Sequence, residues 1–261
     1  METYILKLGG SAITEKSANL CAAKRDEIRR IAKEIAKAMA SGGFRLVVVH
    51  GAGPFGHKLV ADYGIKDGVR SGKEAEGFAK THSSVAELNR IVTDLLSEEG
   101  INAFSFQPSA CMTNKNKKIG SFDTKILKNL LDLGLVPVLY GDMVIDSALG
   151  ASVVSGDDLV PYLARKLNAS RVLLGTDVDG IFTADPKLDR NAKLVEKIDR
   201  KNFNQVLGGV GGSASVDVTE GMKGKLTKLA GLHAFIFNIT KSGNTAKILS
   251  GESIRCTEVK L

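Results

Sequence analysis

The sequence predicts an α/β fold with a largely parallel central sheet, and three observations carry that expectation. Short apolar runs recur at 4–8, 44–49, 136–140, 171–175 and 234–238, each about the length of a strand. The stretches between them carry a helical period. Ile28, Ile31, Ala32, Ile35 and Met39 share one face, and Val85, Leu88, Val92 and Leu95 share another. Buried strands alternating with amphipathic helices belong to a sheet covered on both faces.

Sheets of this kind collect their chemistry on loops at the carboxyl ends of the strands. The first strand runs into Gly9-Gly10-Ser11, and the second into His50-Gly51-Ala52-Gly53-Pro54-Phe55-Gly56-His57. Gly141-Asp142 follows Tyr140, and Thr176-Asp177-Val178-Asp179-Gly180 follows the run at 171–175. The cluster Lys115-Asn116-Lys117-Lys118, between Asn114 and Gly120, reads as an exposed hairpin tip. Gly208 to Ser215 reads as a mobile loop. No repeat or long linker interrupts the pattern. A soft boundary near 168–171 divides one continuous fold into an N-terminal lobe, 1–170, and a C-terminal lobe, 171–261.

A chain of 261 residues, 43% hydrophobic and 25% charged, has room for a substantial core. No run reaches the ~18 apolar residues of a membrane span. Tyr4-Ile5-Leu6-Lys7-Leu8 already reads as a strand, so a signal peptide is not expected. Cys21, Cys111 and Cys256 are odd in number and lack metal-ligand spacing, which suits a reduced cytoplasm. The net charge of +7 raises nucleic acid as a partner, but the lysines are scattered, Trp is absent and aromatics are 5%. Such a field also suits an enzyme of polyanionic substrates.

The turn at 50–57 is the most informative segment. Unpaired amides at a glycine-rich strand-to-helix turn, at the positive end of a helix, make a seat for phosphate. Gly51-x-Gly53-x-x-Gly56 satisfies the dinucleotide fingerprint in form. Its second requirement, an acidic residue ending a strand ~20 positions on, fails: Glu74 and Glu76 have the distance, but no strand leads to them. A P-loop fails too, because His57 stands where lysine is required. Gly9-Gly10 supplies a second glycine turn at a strand end, so amides from both can converge on one anion.

Lys7 interrupts a strand that should be buried, where an unpaired ammonium is costly, so it needs an anionic partner. Asp157, in Ser155-Gly156-Asp157-Asp158 at a strand-to-helix junction, can orient such lysines or cap the helix. Lys16 lies in the loop after the first strand, and Lys225 in a helix-like segment. Phosphoryl transfer asks for positioning and charge neutralisation, which amide turns and lysines provide. No nucleophile–base pair is visible for Ser11 or Ser155, and His82 and His233 read as structural. Asp177 and Asp179 resemble part of a calcium loop, but Gly180 comes too early.

Taken together, Lys7-Leu8-Gly9-Gly10-Ser11, His50-Gly51-Ala52-Gly53, Ser155-Gly156-Asp157-Asp158, Thr176 to Gly180 and Gly221-Met222-x-x-Lys225 resemble the amino acid kinase superfamily. The likeness runs from the first strand to the last helix. Ala12 to Ser17, Phe55-Gly56-His57, Gln107-Pro108-Ser109-Ala110 and Tyr140-Gly141-Asp142 with Val144-Ile145-Asp146 make the chain similar to the isopentenyl phosphate kinases within it. The resemblance implies a three-layer αβα sandwich, a homodimer, an N-terminal acceptor lobe and a C-terminal lobe for ATP with Mg²⁺. It implies ATP-dependent phosphorylation of isopentenyl phosphate, in the alternative mevalonate pathway. Lys7, Lys16 and Lys225 would neutralise the phosphates, Asp157 would hold the lysines, and His57 would bind the acceptor phosphate. Gly9, Gly10, Ala52, Gly53, Gly56, Gly141, Ser155 and Gly156 would line the acceptor side, with Gly9, Gly10, Gly53 and Gly141 offering amides. Lys7, Gly10, Thr176, Asp177, Asp179, Gly180, Lys187, Gly221 and Lys225 would surround ATP. No protein ligand for the metal is implied; ATP phosphates would hold it.

A phosphate monoester is already ionised at pH 7, so the absence of a visible base is expected, and the acceptor would favour protonated His57. The family usually has glycine where Glu220 stands, and a carboxylate there would repel ATP phosphates, turn away or help hold Mg²⁺. The acceptor's tail is expected along the helix carrying Phe78, Val85, Leu88 and Ile91, whose stripe equally suits core packing. Alternatives are a same-fold kinase for another phosphate or phosphonate, such as UMP or fosfomycin, and a non-catalytic nucleotide-binding module. The lysines argue against the module, and His57 argues against a carboxylate acceptor.

Overall fold

The computed structural model describes the chain except residues 16–20, 185, 187, 210–223 and 225. β1 (Glu2–Leu8) leads through α1 (Gly10–Ile13) to α2 (Arg25–Ala40). β2 (Phe44–His50) leads to α3 (Pro54–Asp62) and the long α4 (Gly72–Glu98). Ser71 starts α4 with a reciprocal capping box, its hydroxyl accepting from the Glu74 amide and its amide donating to the Glu74 carboxylate. Next come β3 (Ala103–Ser105), β4 (Met112–Lys115), β5 (Lys118–Phe122), α5 (Lys125–Asp132) and β6 (Val136–Tyr140). β7 (Asp142–Asp146) and β8 (Gly150–Val154) form a hairpin ahead of α6 (Gly156–Lys166). The rest comprises β9 (Arg171–Thr176), β10 (Lys197–Asp199), α7 (Phe203–Gly209), β11 (His233–Asn238), α8 (Asn244–Leu249) and β12 (Cys256–Lys260). The glycine-rich stretch at 208–215 begins inside the end of α7, and its remainder lies outside the described residues.

Eight strands form the central sheet in the order β10-β12-β11-β9-β1-β2-β6-β3. Each of the five apolar runs is one of its strands, and the six from β11 to β3 are parallel. β12 runs antiparallel to β11. β1 lies between β2 and β9, so one sheet crosses the soft boundary near 168–171 without a break.

Strand parity sorts the core into two layers. Leu6, Leu8, Leu46 and Val48 face α2 and α4 with Ile31, Ile35, Leu88 and Val92. Ile5, Val47 and Val49 face α6 with Leu159, Val160 and Leu163. Helices therefore cover both faces, and the fold is the expected α/β sandwich.

A second, four-stranded sheet, β5-β4-β7-β8, departs from the sequence reading, which found only one of its turns. Its strands are short and joined by hairpins, so they leave no long apolar run. Asn116 and Lys117 at the tip of the basic cluster have φ of 50° and 63°, the paired positive values of a tight hairpin turn. Asp146 anchors this sheet. Its buried carboxylate accepts from the Asn116 and Lys117 amides at 2.9 and 2.8 Å, the Ala148 amide at 2.9 Å and the Ser152 hydroxyl at 2.8 Å. Burial alone would raise its pKa, but these donors hold it well below the usual carboxylate range.

Candidate active site

A cavity of about 850 Å³ lies over the carboxyl ends of β9, β1, β2 and β6. Two glycine turns form its floor, and they interlock. A Cβ on Gly10 would lie 2.7 Å from Gly53 N, and one on Gly51 would lie 2.8 Å from Gly10 N. Only hydrogen at these positions lets the two backbones approach so closely. Gly53 caps α3 with φ 52° and ψ −142°, which a side chain would strain, and Thr14 packs directly against it.

The amides divide into two groups. Gly9 N donates to Gly175 O at 2.9 Å, and Gly141 N donates to His50 O at 3.2 Å. Both are engaged in joining strand ends, which corrects their expected use as phosphate donors. Gly56 N likewise donates to Gly53 O at 3.3 Å. The amides of Gly10, Ser11, Ala52 and Gly53 have no protein acceptor among the described residues. They are the donors open to an anion.

Lys7 shares the parity of Ile5, so its side chain leaves β1 on the α6 face. There its Nζ lies 2.6 Å from Asp157 Oδ1, with the lysine side chain only 11% exposed. Gly156 makes room: a Cβ there would meet Lys7 Cε at 3.4 Å. Ser155 is the N-cap of α6 and forms a capping box with Asp158, which leaves Asp157 to the lysine. The N-terminus of this 11-residue helix thus faces the same space.

His57 projects from the first turn of α3 into the cavity, one turn ahead of Val60. Val60, Thr81, Val85, Met143, Val153 and Val154 give this arm a largely apolar wall. Of the stripe expected to meet the tail, Val85 lines the cavity, packing over Gly56. Leu88 and Ile91 belong to the core, and Phe78 is half-buried outside the lining. A helix of 3.6 residues per turn carries most of such a stripe toward the sheet, which explains the difference.

Across β1, the opposite arm is lined by Thr176, Asp177, Val178, Gly180, Ile181, Phe182 and Pro186. The Asp177 carboxylate accepts from the Ser11 hydroxyl at 3.3 Å, bridging the β9 and β1 loops. Asp179 pairs instead with Lys241 at 2.7 Å and Arg255 at 3.4 Å and does not line the cavity. Lys16, Lys187, Glu220, Gly221 and Lys225 lie outside the described residues. Both histidines read as structural are paired. His82 Nδ1 meets Asp142 at 2.9 Å, and His233 meets Glu258 at 2.8 Å. Ser109 approaches the same Nδ1 as Asp142, at 3.5 Å, so these three residues do not make a nucleophilic triad.

Sequence reasoning missed Ser11, Thr14 and Asn89. Ser11 and Thr14 follow the glycines and carried a weak signal by position alone. Asn89 lies mid-helix, where only the tertiary fold brings it under the turn.

A parallel sheet with interlocked glycine turns, a buried lysine–aspartate pair and a helix N-terminus around one cavity defines a phosphate-handling α/β protein. The model of the amino acid kinase family matches residues 2–231, and the chain belongs to that family. Isopentenyl phosphate kinase of Methanothermobacter thermautotrophicus is 40% identical to it over 266 residues, covering 98% of each chain. The isopentenyl phosphate kinase of Methanocaldococcus jannaschii is 38% identical, over 98% of this chain and 97% of its own. An X-ray structure of isopentenyl phosphate kinase superposes with a TM-score of 0.85 at 38% identity, covering 99% of this chain and 100% of that one.

Proposed function

We propose that this protein transfers the γ-phosphoryl group of ATP to isopentenyl phosphate, giving isopentenyl diphosphate and ADP. The observation that carries this reading is the shape of one cavity. Free amides and Lys7 stand at its centre, His57 and an apolar arm lie on one side, and the β9 loop lies on the other. A small phosphomonoester with a hydrocarbon tail fits the first arm, and ATP the second.

An oxygen of the acceptor phosphate attacks the γ-phosphorus, and the bond to the β-phosphate oxygen breaks. That attacking oxygen is already ionised, so the protein supplies charge and position rather than a base. Lys7, held by Asp157, neutralises the transferring group, and the Gly10, Ser11, Ala52 and Gly53 amides receive its oxygens. Lys16 and Lys225 are assigned the same work by family likeness. The amides of the two turns and the Lys7 ammonium, paired with Asp157, suit phosphate oxygens rather than a bare cation. The ATP phosphates would hold Mg²⁺, which would supply screening of their charge.

Among the described residues, no helix is long and apolar enough to cross a membrane. Three free cysteines accord with the cytoplasm as the location. A homodimer completes the reading, supported by the exposed Phe104 on the sheet's terminal strand, β3. Light scattering at micromolar protein measures that state directly, and a monomer mass would remove it.

The deciding experiment follows ADP release against isopentenyl phosphate, dimethylallyl phosphate, UMP, glutamate and fosfomycin. Turnover fastest with isopentenyl phosphate is expected. Turnover only with glutamate would sink the proposal, and none with any acceptor would favour a nucleotide-binding module.

A further inference from the structure

His50 ends β2 with a fully buried side chain, stacked on Tyr140 at a centroid separation of 5.6 Å. It shares the parity of Val48, so it faces α4, away from Lys7 and the cavity. Asn89 of α4 meets it there, with Nδ2 3.1 Å from His50 Nε2. The orientation of the Asn89 amide follows from its other neighbours. Its Nδ2 lies 3.3 Å from the Val138 carbonyl, which can only accept, and its Oδ1 takes the Ser105 hydroxyl. His50 Nε2 must therefore accept, and the ring proton resides on Nδ1. That Nδ1 lies 3.2 Å from Gly51 O. Burial keeps the ring neutral, lowering its pKa to about 4.

The consequence passes through one peptide plane. The chain has no cis peptide bonds among the described residues, so the Gly51 carbonyl and the Ala52 N–H point in opposite directions. With the carbonyl tied inward to His50, the Ala52 N–H points away from the ring. Ala52 lines the cavity, and its amide has no acceptor among the described residues.

We propose that His50 and Asn89 are positioning residues, which lock the Gly51 carbonyl inward and so aim the Ala52 amide at a phosphate group in the cavity. The inference rests on the phosphate-transfer reading of this site. Neither residue lines the cavity. Their effect on transfer runs through the Gly51–Ala52 peptide.

Two variants separate this role from plain packing. In His50→Asn, the side-chain amide nitrogen can occupy the place of Nδ1 and still donate to Gly51 O. In His50→Gln, the nitrogen falls near Nε2 and that bond is lost. With isopentenyl phosphate and ATP, H50Q is expected to lose at least about tenfold in kcat/KM while H50N stays within about threefold of wild type. Equal losses in the two variants would overturn the proposal. Two measurements on the wild type need no variant to fold. Nitrogen-15 imidazole spectra at pH 7 should show His50 protonated on Nδ1 and bare on Nε2; the opposite tautomer would overturn the proposal. Titration with inorganic phosphate should move the Ala52 amide proton downfield, and an unmoved resonance at saturation would overturn it equally. Because inorganic phosphate is the probe, this last result stands even if wild type turns over no acceptor, which would defeat the kinase reading instead.

Discussion

Lys7 and His50 end neighbouring strands, yet their side chains leave the sheet on opposite faces. Lys7 goes to the α6 side and finds Asp157, while His50 goes to the α4 side and finds Asn89. One is paired with a carboxylate, and the other is kept neutral by burial. His50 has a measurable effect on acid stability. A histidine whose pKa falls from the usual 6.5 to about 4 binds its proton in the unfolded chain before the folded one. Its contribution is complete above pH 6.5 and is lost as pH falls toward 4, by about 3 kcal/mol. Urea titrations at pH 7 and 4.5 should show that loss in wild type and a smaller one in H50N; equal losses would contradict it. His57 lines the open cavity, where the proposed acceptor would meet it. His57→Ala is expected to lower kcat/KM for isopentenyl phosphate by about 10²-fold. Unchanged steady-state kinetics would remove His57 from the site.

The cavity floor is built from two strand-to-helix turns, legible as glycine motifs long before their contact is seen. Gly9-Gly10 and Gly51-x-Gly53 announce tight turns, but nothing in either announces that Gly10 abuts Gly53. In Gly10→Ala, the new Cβ would stand 2.7 Å from Gly53 N and 3.1 Å from Gly53 Cα, both backbone atoms. The turns must separate, misplacing the amides by a fraction of an ångström or more. A loss of about 10²-fold in kcat/KM is expected, with about 1–3 kcal/mol of stability. Steady-state kinetics and thermal melts check the two, and near-wild-type turnover would show that the turns need not touch. At the same scale, the capping box of Ser155 and Asp158 resolves the ambiguity over Asp157. Three acidic or hydroxyl side chains in four residues allow several caps; only the folded helix start assigns them.

Across the whole molecule, β1 joins the two lobes by pairing with β2 on one edge and β9 on the other. A second tie runs through Glu34 of α2, which takes the Gly243 and Thr245 amides at 2.8 and 2.9 Å, at the start of α8. Arg30 bonds both Glu34 and the Ile239 carbonyl in the same cluster. The lobes therefore share a sheet and a buried ionic anchor, and they should unfold together. Calorimetry is expected to give one transition, raised by ATP. Two separated transitions, only one of them moved by ATP, would mean that the lobes are independent.

Local sequence established five of the eight strands of the central sheet, the amphipathic helices between them, the glycine turns and the need of Lys7 for an anion. Those follow from local chemistry: apolar runs, helical period, and the cost of burying charge. The tertiary structure decided which partner each group meets. It placed Asp157 150 residues from Lys7 within 2.6 Å and assigned the amides of Gly9 and Gly141 to neighbouring strands. It also drew Asp179 aside to Lys241 and brought Asn89 beneath the turn. Contacts between distant segments depend on strand order and face parity, which no local pattern encodes. The second sheet escaped the sequence for a related reason. Its short strands are held by the buried Asp146 carboxylate and by hairpin turns rather than by apolar runs.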